Sequence, residues 1–164
     1  MDGVRIAVIG ATGAVGQVFL KLLEERDFPA SQVRLCASER SLGKKIIVNN
    51  ADLIVESPTE DLFNEVDIVF ISATGDVSKE LAPLAVDKGC LVIDDSSVFR
   101  MDPNVPLVVP EVNPGDIDFH SGIIAIPNCS TTPLVMVLKP LNDINPVKRV
   151  IVDTYQSVSG AGKV

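Results

Sequence analysis

An apolar run, Val4–Ile9, interrupted only by Arg5, stops at a glycine and leads into Gly10-Ala-Thr-Gly13-Ala-Val-Gly16. Few folds can accept that combination. A stretch so largely apolar reads as a strand buried on both faces, which requires helices on either side of a parallel sheet. From Ala14 onward Val15, Val18, Phe19, Leu22 and Leu23 return at helical spacing, until Phe28-Pro29 ends the series. Strand, glycine turn and helix therefore open a βαβ unit. Small residues suit such a turn for separate reasons: Gly10 makes it tight, Gly13 lets the backbone approach a pyrophosphate, and Gly16 packs the helix against the strand. The helix amino terminus then offers free N–H groups and partial positive charge to phosphates. The spacing is G-x-x-G-x-x-G, as in extended variants of the Rossmann fold, and a purely structural turn is the alternative.

The strand–helix alternation recurs. Val33–Ala37 is a second strand, Ile46–Val48 and Leu53–Val55 are shorter ones flanking Asn49-Asn50, and Val66–Ser72 is another buried strand ending in Ala73-Thr74-Gly75. Asp76 can cap a helix over Val77–Lys88, with Gly89 as its stop. Leu91–Ile93 follows and closes in Asp94 and Asp95. This pattern predicts an α/β chain with a Rossmann-type doubly wound parallel sheet, and a ligand crevice at the carboxyl ends of the strands. Beyond Arg100, Pro103, Pro106, Pro110 and Pro114 divide the chain into short extended pieces. Ile123–Ile126 reads as a strand, and Pro127-Asn128-Cys129 as a turn into a helix starting near Ser130. Pro133 falls in its first turn, Pro140 marks its end or a kink, and Val147–Ser157 reads as a long strand. A boundary near 125–130 divides a cofactor domain, 1–127, from the start of an α+β catalytic domain, 128–164.

Composition removes several functional classes. The 164 residues carry a net charge of −8, against the basic excess of a nucleic-acid binder. No apolar run approaches the roughly 20 residues that span a bilayer. MDGVRIAVIG runs directly into the first strand without a cleavable signal pattern. Three cysteines, Cys36, Cys90 and Cys129, and a single histidine give no metal-ligand spacing, so no metal is expected. A reduced, cytoplasmic protein is expected, in which a thiol can serve as a reagent.

Two positions carry the chemistry. At the end of the second strand the sequence reads Ala37-Ser38-Glu39-Arg40-Ser41. An acid would hold the ribose 2′-hydroxyl of NAD, whereas Arg40 with Ser38 and Ser41 would suit the 2′-phosphate of NADP. Both types are present, and a surface ion pair is the plain alternative for Arg40. Cys36 and Cys90 lie in or at strands and read as buried structural thiols. Cys129 instead precedes a helix, where the dipole and free N–H groups stabilise a thiolate and can hold a developing oxyanion. His120 lies in a polar run, Asp116–Gly122, and reads as a solvated loop residue. Ser159-Gly-Ala-Gly-Lys163 is not a P-loop: Ser157 stands where the first glycine belongs and Val164 where Ser or Thr belongs.

Five ordered stretches together resemble the aspartate-semialdehyde dehydrogenases. They are Gly10–Gly16, Asp94-Asp-Ser-Ser-Val-Phe-Arg100, Val109-Pro-Glu-Val-Asn113, Pro127-Asn-Cys-Ser-Thr-Thr-Pro133 and Thr154-Tyr-Gln-Ser-Val-Ser-Gly-Ala-Gly-Lys163. The resemblance implies NADP as cofactor, with Thr12, Gly13, Ala14 and Val15 at its phosphates and Arg40 and Ser41 at the 2′-phosphate. Ser72 and Ala73 join that cofactor-binding set, and Ser159 and Gly160 approach the nicotinamide. Arg100 would bind the substrate phosphate, Asn128 would help position the substrate, and Gln156 would orient the acyl group. Cys129 would form an acyl-thioester from L-aspartyl 4-phosphate, which NADPH reduces to L-aspartate 4-semialdehyde on the route to lysine (through diaminopimelate), threonine and methionine. Members of the family are about twice as long and form homodimers, with the base histidine and the carboxylate-binding arginine in their second half. The chain is therefore expected to be a truncated, catalytically incomplete piece. The nearest enzyme alternative, an N-acetyl-glutamyl-phosphate reductase, puts glycine and tyrosine around its cysteine, unlike Asn128-Cys129-Ser130. A nucleotide-binding module without turnover is the alternative of a different class.

Overall fold

The computed structural model describes residues 3–155. A seven-stranded, mostly parallel sheet runs in the order β3-β4-β2-β1-β5-β6-β7. Its strands are β1 Val4–Ile9, β2 Ala30–Cys36, β3 Lys45–Val48, β4 Ala51–Glu56, β5 Ile68–Ile71, β6 Leu91–Asp94 and β7 Ile123–Ala125. The helices are α1 Ala14–Glu25, α2 Gly75–Asp87 and α3 Thr131–Ile144. One edge departs from the parallel pattern: β3 and β4 pair antiparallel around Asn49 and Asn50, whose φ values are +49° and +62°. Two successive left-handed residues make the two-residue turn that matches strand twist, and Asn tolerates that conformation better than most.

The alternation of side chains along β1 explains the two layers. Ile6 and Val8 point to one face, where they meet Leu20 and Leu23 of α1 with Leu35 and Phe70. Ala7 and Ile9 point to the other, against Leu81, Ala82 and Ala85 of α2. Phe19 of α1 stacks on Phe70 of β5 at a ring separation of 4.1 Å. Otherwise the core is mostly aliphatic, as a chain with six Phe, one Tyr and no Trp must make it. Strand order reverses between β1 and β5, which makes the carboxyl ends of these two strands the crevice of a doubly wound sheet.

Several limits differ from the sequence reading. Helix α2 begins at Gly75 with Thr74 as N-cap; Asp76 lies in the first turn, and there its charge favours the positive helix end without capping it. Pro140 neither ends nor begins α3, which continues to Ile144. At that position a proline forfeits the bond to the Met136 carbonyl, and Met136 lies on an exposed face where water can take its place. The expected strand at Val147–Ser157 is absent as far as the described residues reach: 147–155 is irregular and exposed. A strand needs a neighbour for its ladder, and none of the seven strands offers one there. The link from β6 to β7 holds a 3-10 turn, Pro114–Phe119, in place of a regular crossover helix.

Candidate active site

Main-chain bonds lock the glycine turn to its surroundings. The N–H groups of Gly10 and Ala11 both donate to the Cys36 carbonyl at the end of β2, at 2.9 and 3.0 Å. Gln17 Nε2 donates to the Ala11 carbonyl at 2.6 Å. Gly10 has φ +93°, and a methyl group placed on it would overlap the Ser72 carbonyl oxygen and lie 2.8 Å from the Ser72 carbonyl carbon. Only glycine allows β1 and β5 to meet there. At Gly16 a methyl group would stand 2.9 Å from Ala11 Cα, so the close approach of the helix is to the turn rather than to the strand that the sequence implied. Gly13 caps α1 through its backbone; it is exposed, as are Ala14 and Val15, and no acid occupies the first turn. This helix end therefore faces the crevice with its N–H groups and without a competing carboxylate.

Beside it the segment after β2 forms a polar corner. Ser41 is buried; its Oγ accepts from Thr12 Oγ1 of the glycine turn at 3.3 Å and from Lys44 Nζ at 3.3 Å. Ser38, Glu39 and Arg40 are exposed. Among the described residues Arg40 makes no ion pair, so the surface pair that the sequence left open is not formed. Lys44 escaped sequence reasoning. The signal is present, since Lys44 lies three residues after Ser41, but its placement depends on a main-chain pairing with β4 that no local pattern announces.

A second polar group forms where β5, β6 and β7 end. Ser72 Oγ, expected at the cofactor, donates to Asp95 Oδ2 at 3.1 Å. Burial pushes the Asp95 carboxyl up, opposed by Ser72 and by the Arg100 guanidinium. Asp94 is fully buried; it accepts from Ser96 Oγ at 2.6 Å, and Ser96 Oγ in turn accepts from the Val98 N–H. The acid thus pins the turn that carries Arg100. Two backbone carbonyls hold the guanidinium: Nε donates to Ile126 at 2.9 Å and Nη2 to Asp95 at 2.8 Å, with Asp95 Oδ1 3.9 Å away. Fixing two nitrogens in this way sets the plane of the fork and leaves Nη1 for an anion.

Ile126 also leads to the cysteine. Cys129 is the one exposed thiol of the three. Cys36 is buried, and desolvation, reinforced by Glu56, raises its thiol to about 12. Cys90 donates to the carbonyls of Phe63 and Val66, at 3.2 and 3.3 Å, from a buried site. Cys129 lies one residue before Ser130, the N-cap of α3. The sequence reading gave the first helical N–H groups to an oxyanion, and the structure corrects this. Asn128 takes them: its Oδ1 accepts from Ser130 N–H at 3.1 Å and from Ser130 Oγ at 2.8 Å. Its carbonyl accepts from Thr131 and Thr132 at 2.8 and 3.2 Å. Pro133 has no N–H to give. Among the described residues, the N–H of Cys129 itself has no protein acceptor. The Cys129 thiol also points toward Asn128 Oδ1 at 3.7 Å.

His120 is exposed, and its Nδ1 accepts from the Gly122 N–H at 3.0 Å, as a loop residue should. Gln156, Ser159 and Gly160 lie outside the described residues. Among the described residues no helix is long and apolar enough to cross a membrane, and no group of three or more His, Cys, Asp or Glu side chains could hold a metal ion.

Residues 5–120 match the family model described as semialdehyde dehydrogenase, NAD binding domain. The aspartate-semialdehyde dehydrogenase of Aquifex aeolicus is 54% identical over 163 residues, covering 98% of this chain and 48% of that protein. The crystal structure of aspartate semialdehyde dehydrogenase II from Vibrio cholerae superposes with a TM-score of 0.93 at 46% identity, covering 97% of this chain and 48% of that one. A structure of that enzyme complexed with ASA gives 0.83 at 45% identity, covering 86% and 47%. The Candida albicans aspartate semialdehyde dehydrogenase, a structure with NADP, gives 0.71 at 31% identity, covering 88% and 48%. The chain spans about half the length of the curated relatives it matches.

Proposed function

Because the chain belongs to the semialdehyde dehydrogenase family through its NAD-binding domain, we propose that the protein carrying it is an NADP-dependent aspartate-semialdehyde dehydrogenase with Cys129 as nucleophile. The observation that carries this reading is the exposed Cys129 thiol at the β7–α3 junction, on backbone that Arg100 holds through the Ile126 carbonyl. In this reading a phosphate-binding guanidinium after β6 and a nucleophile after β7 are linked through that carbonyl.

The crevice fits a dinucleotide phosphate. An open helix end without acids, a turn closed only by Gly10, and a buried serine bonded to the Lys44 ammonium support a seat for a pyrophosphate and a 2′-phosphate. The main chain over Thr12–Val15 holds the pyrophosphate; Ser38, Arg40 and Ser41 hold the 2′-phosphate; Ser72 and Ala73 border the cofactor from β5, and Ser159 and Gly160 its nicotinamide end. When bound, the reduced nicotinamide supplies the hydride that takes the acyl group to the aldehyde level.

This chain's residues do the rest. Arg100 Nη1 grips the phosphoryl oxygens of L-aspartyl 4-phosphate, while Asn128 and Gln156 orient the acyl group. The Cys129 thiolate attacks the acyl carbon, its own N–H meets the developing oxyanion, and inorganic phosphate leaves as the thioester forms. After reduction the C–S bond breaks, L-aspartate 4-semialdehyde departs and the thiolate returns. The same reading places the protein in the cytoplasm, as a homodimer at full length, on the route to lysine, threonine and methionine. Residues from 128 onward begin its catalytic domain; α3 buries none of its residues here, in keeping with a face that packs elsewhere.

A polypeptide of these 164 residues alone is expected not to turn over, because its single histidine is committed to Gly122 and exposed. The test measures NADP- and phosphate-dependent oxidation of aspartate semialdehyde by the full-length protein, by its Cys129→Ala variant, and by the 164-residue polypeptide. Activity is expected only in the first. An active Cys129→Ala enzyme would overturn the mechanism; an active short polypeptide would overturn the need for a base outside it.

A further inference from the structure

We propose that Lys44 is a specificity-determining residue for the cofactor, holding the adenosine 2′-phosphate together with Arg40 across the buried Ser41 hydroxyl. The inference rests on the NADP reading and adds to it a cation that the sequence did not assign.

The placement of Lys44 is rigid at the backbone and free at the tip. Its carbonyl accepts from the Val55 N–H at 2.9 Å, and the Gly43 N–H before it donates to the Val55 carbonyl at 2.9 Å. Two main-chain bonds to one residue of β4 therefore fix its Cα beside the carboxyl end of β2. The side chain turns back toward the glycine turn, where Nζ donates to Ser41 Oγ at 3.3 Å. The same oxygen also accepts from Thr12 Oγ1, at 3.3 Å. A single buried hydroxyl thus links the helix end proposed for the pyrophosphate to an ammonium group.

Charge strengthens the argument. The protein has a net charge of −8, and many of its surface cations are paired: Arg5 with Asp67, Arg34 with Glu56 and Glu65, Lys45 with Asp52, Lys88 with Glu60. Among the described residues Lys44 and Arg40 make no such pair, although Lys45, next in sequence, does. Two unpaired cations four residues apart, Lys44 bonded to the buried Ser41 hydroxyl and Arg40 preceding that serine in sequence, form an anion seat past the end of β2, where a Rossmann sheet receives the adenosine ribose. The ammonium is a compact charge with three donors, so it can keep its bond to Ser41 and still donate to a phosphate. A bare 2′-hydroxyl has no use for that charge, so Lys44 separates the two cofactors.

The experiment uses the full-length protein with Lys44→Gln and Lys44→Arg variants. The ratio of kcat/KM with NADP to that with NAD is expected to fall at least tenfold in Lys44→Gln and to recover within threefold in Lys44→Arg. Inhibition by adenosine 2′,5′-bisphosphate should weaken in parallel, while inhibition by adenosine 5′-diphosphate stays within twofold. Equal losses against both inhibitors, or an unchanged ratio in a wild type that prefers NADP, would overturn the role of Lys44 alone. A wild type without preference for NADP would overturn the cofactor reading and this inference with it.

Discussion

Replacing Gly10 by alanine tests the turn on which the crevice depends. Two penalties combine at this position. A left-handed φ of +93° burdens any residue with a Cβ, at about 1–2 kcal/mol. The new methyl group would also overlap the Ser72 main chain, whose carbonyl carbon lies 2.8 Å away and belongs to a packed strand end. Forced repacking of that kind costs typically ~1–3 kcal/mol. The total is about 2–5 kcal/mol. Gly89 provides the control: its φ is +87°, yet a methyl group there meets nothing within 4 Å, so only the first penalty of about 1–2 kcal/mol applies. Gly115, with open space and no positive φ, should be neutral or slightly stabilised by alanine, by up to ~1 kcal/mol. Urea unfolding followed by far-UV circular dichroism reads all three. With an m value of about 2 kcal/mol/M, Gly10→Ala should lower the midpoint by roughly 1–2.5 M. If Gly10→Ala costs no more than Gly89→Ala, the close approach of β1 to the β5 end is not what holds glycine there.

Other expectations can be checked in the same preparations. An aromatic disulfide reagent should modify Cys129 rapidly under native conditions, and Cys36 and Cys90 only after urea is added; three equally fast thiols would contradict the burial of two of them. Asp95→Asn should stabilise the fold at neutral pH more than in acid. Burial raises the native carboxyl above its unfolded value, so the native state binds the extra proton, and stability falls as pH rises between the two; Asn removes that loss. A variant equally affected at pH 3 and pH 7 would refute this. Asp67 behaves oppositely. Its hydrogen bonds from Arg5 hold the carboxyl down at about 2, so its contribution is present above the unfolded value near ~3.9 and fades as pH falls toward 2. Asp67→Asn should therefore flatten the acid limb of the stability profile, and an unchanged limb would count against the pair.

The parts legible in the sequence were those governed by short-range rules. Val4–Ile9 could hardly be anything but a central strand, and the helical spacing from Val15 to Leu23 left α1 little freedom. Cys36 and Cys90 read as buried because they lie in or at apolar strands, and both are buried. Legibility ended where a residue's surroundings come from elsewhere in the chain. Lys44 acquires its position through Val55, eleven residues on and in another strand. Asp95 is desolvated by burial and meets Ser72 from the end of another strand, β5, and Arg100 from its own loop. The oxyanion donors at α3 were misassigned because sequence shows which N–H groups a helix start exposes, not which of them a neighbouring Asn side chain and carbonyl already occupy. Thr74 displaced Asp76 as N-cap for a similar reason. With α2 starting at Gly75, Asp76 falls inside the first turn.

The proposed covalent role of Cys129 is the central claim, and a phosphate-free burst experiment addresses it directly. Aspartate semialdehyde and NADP are mixed with the full-length protein in the absence of phosphate, NADPH is followed in the stopped flow, and the quenched protein is digested for mass spectrometry. Without phosphate to release the acyl group, the account expects a burst of one NADPH per site and one aspartyl group on the peptide containing Cys129, with neither in Cys129→Ala. A burst that survives Cys129→Ala, or an aspartyl group found on Cys36 or Cys90, would contradict it.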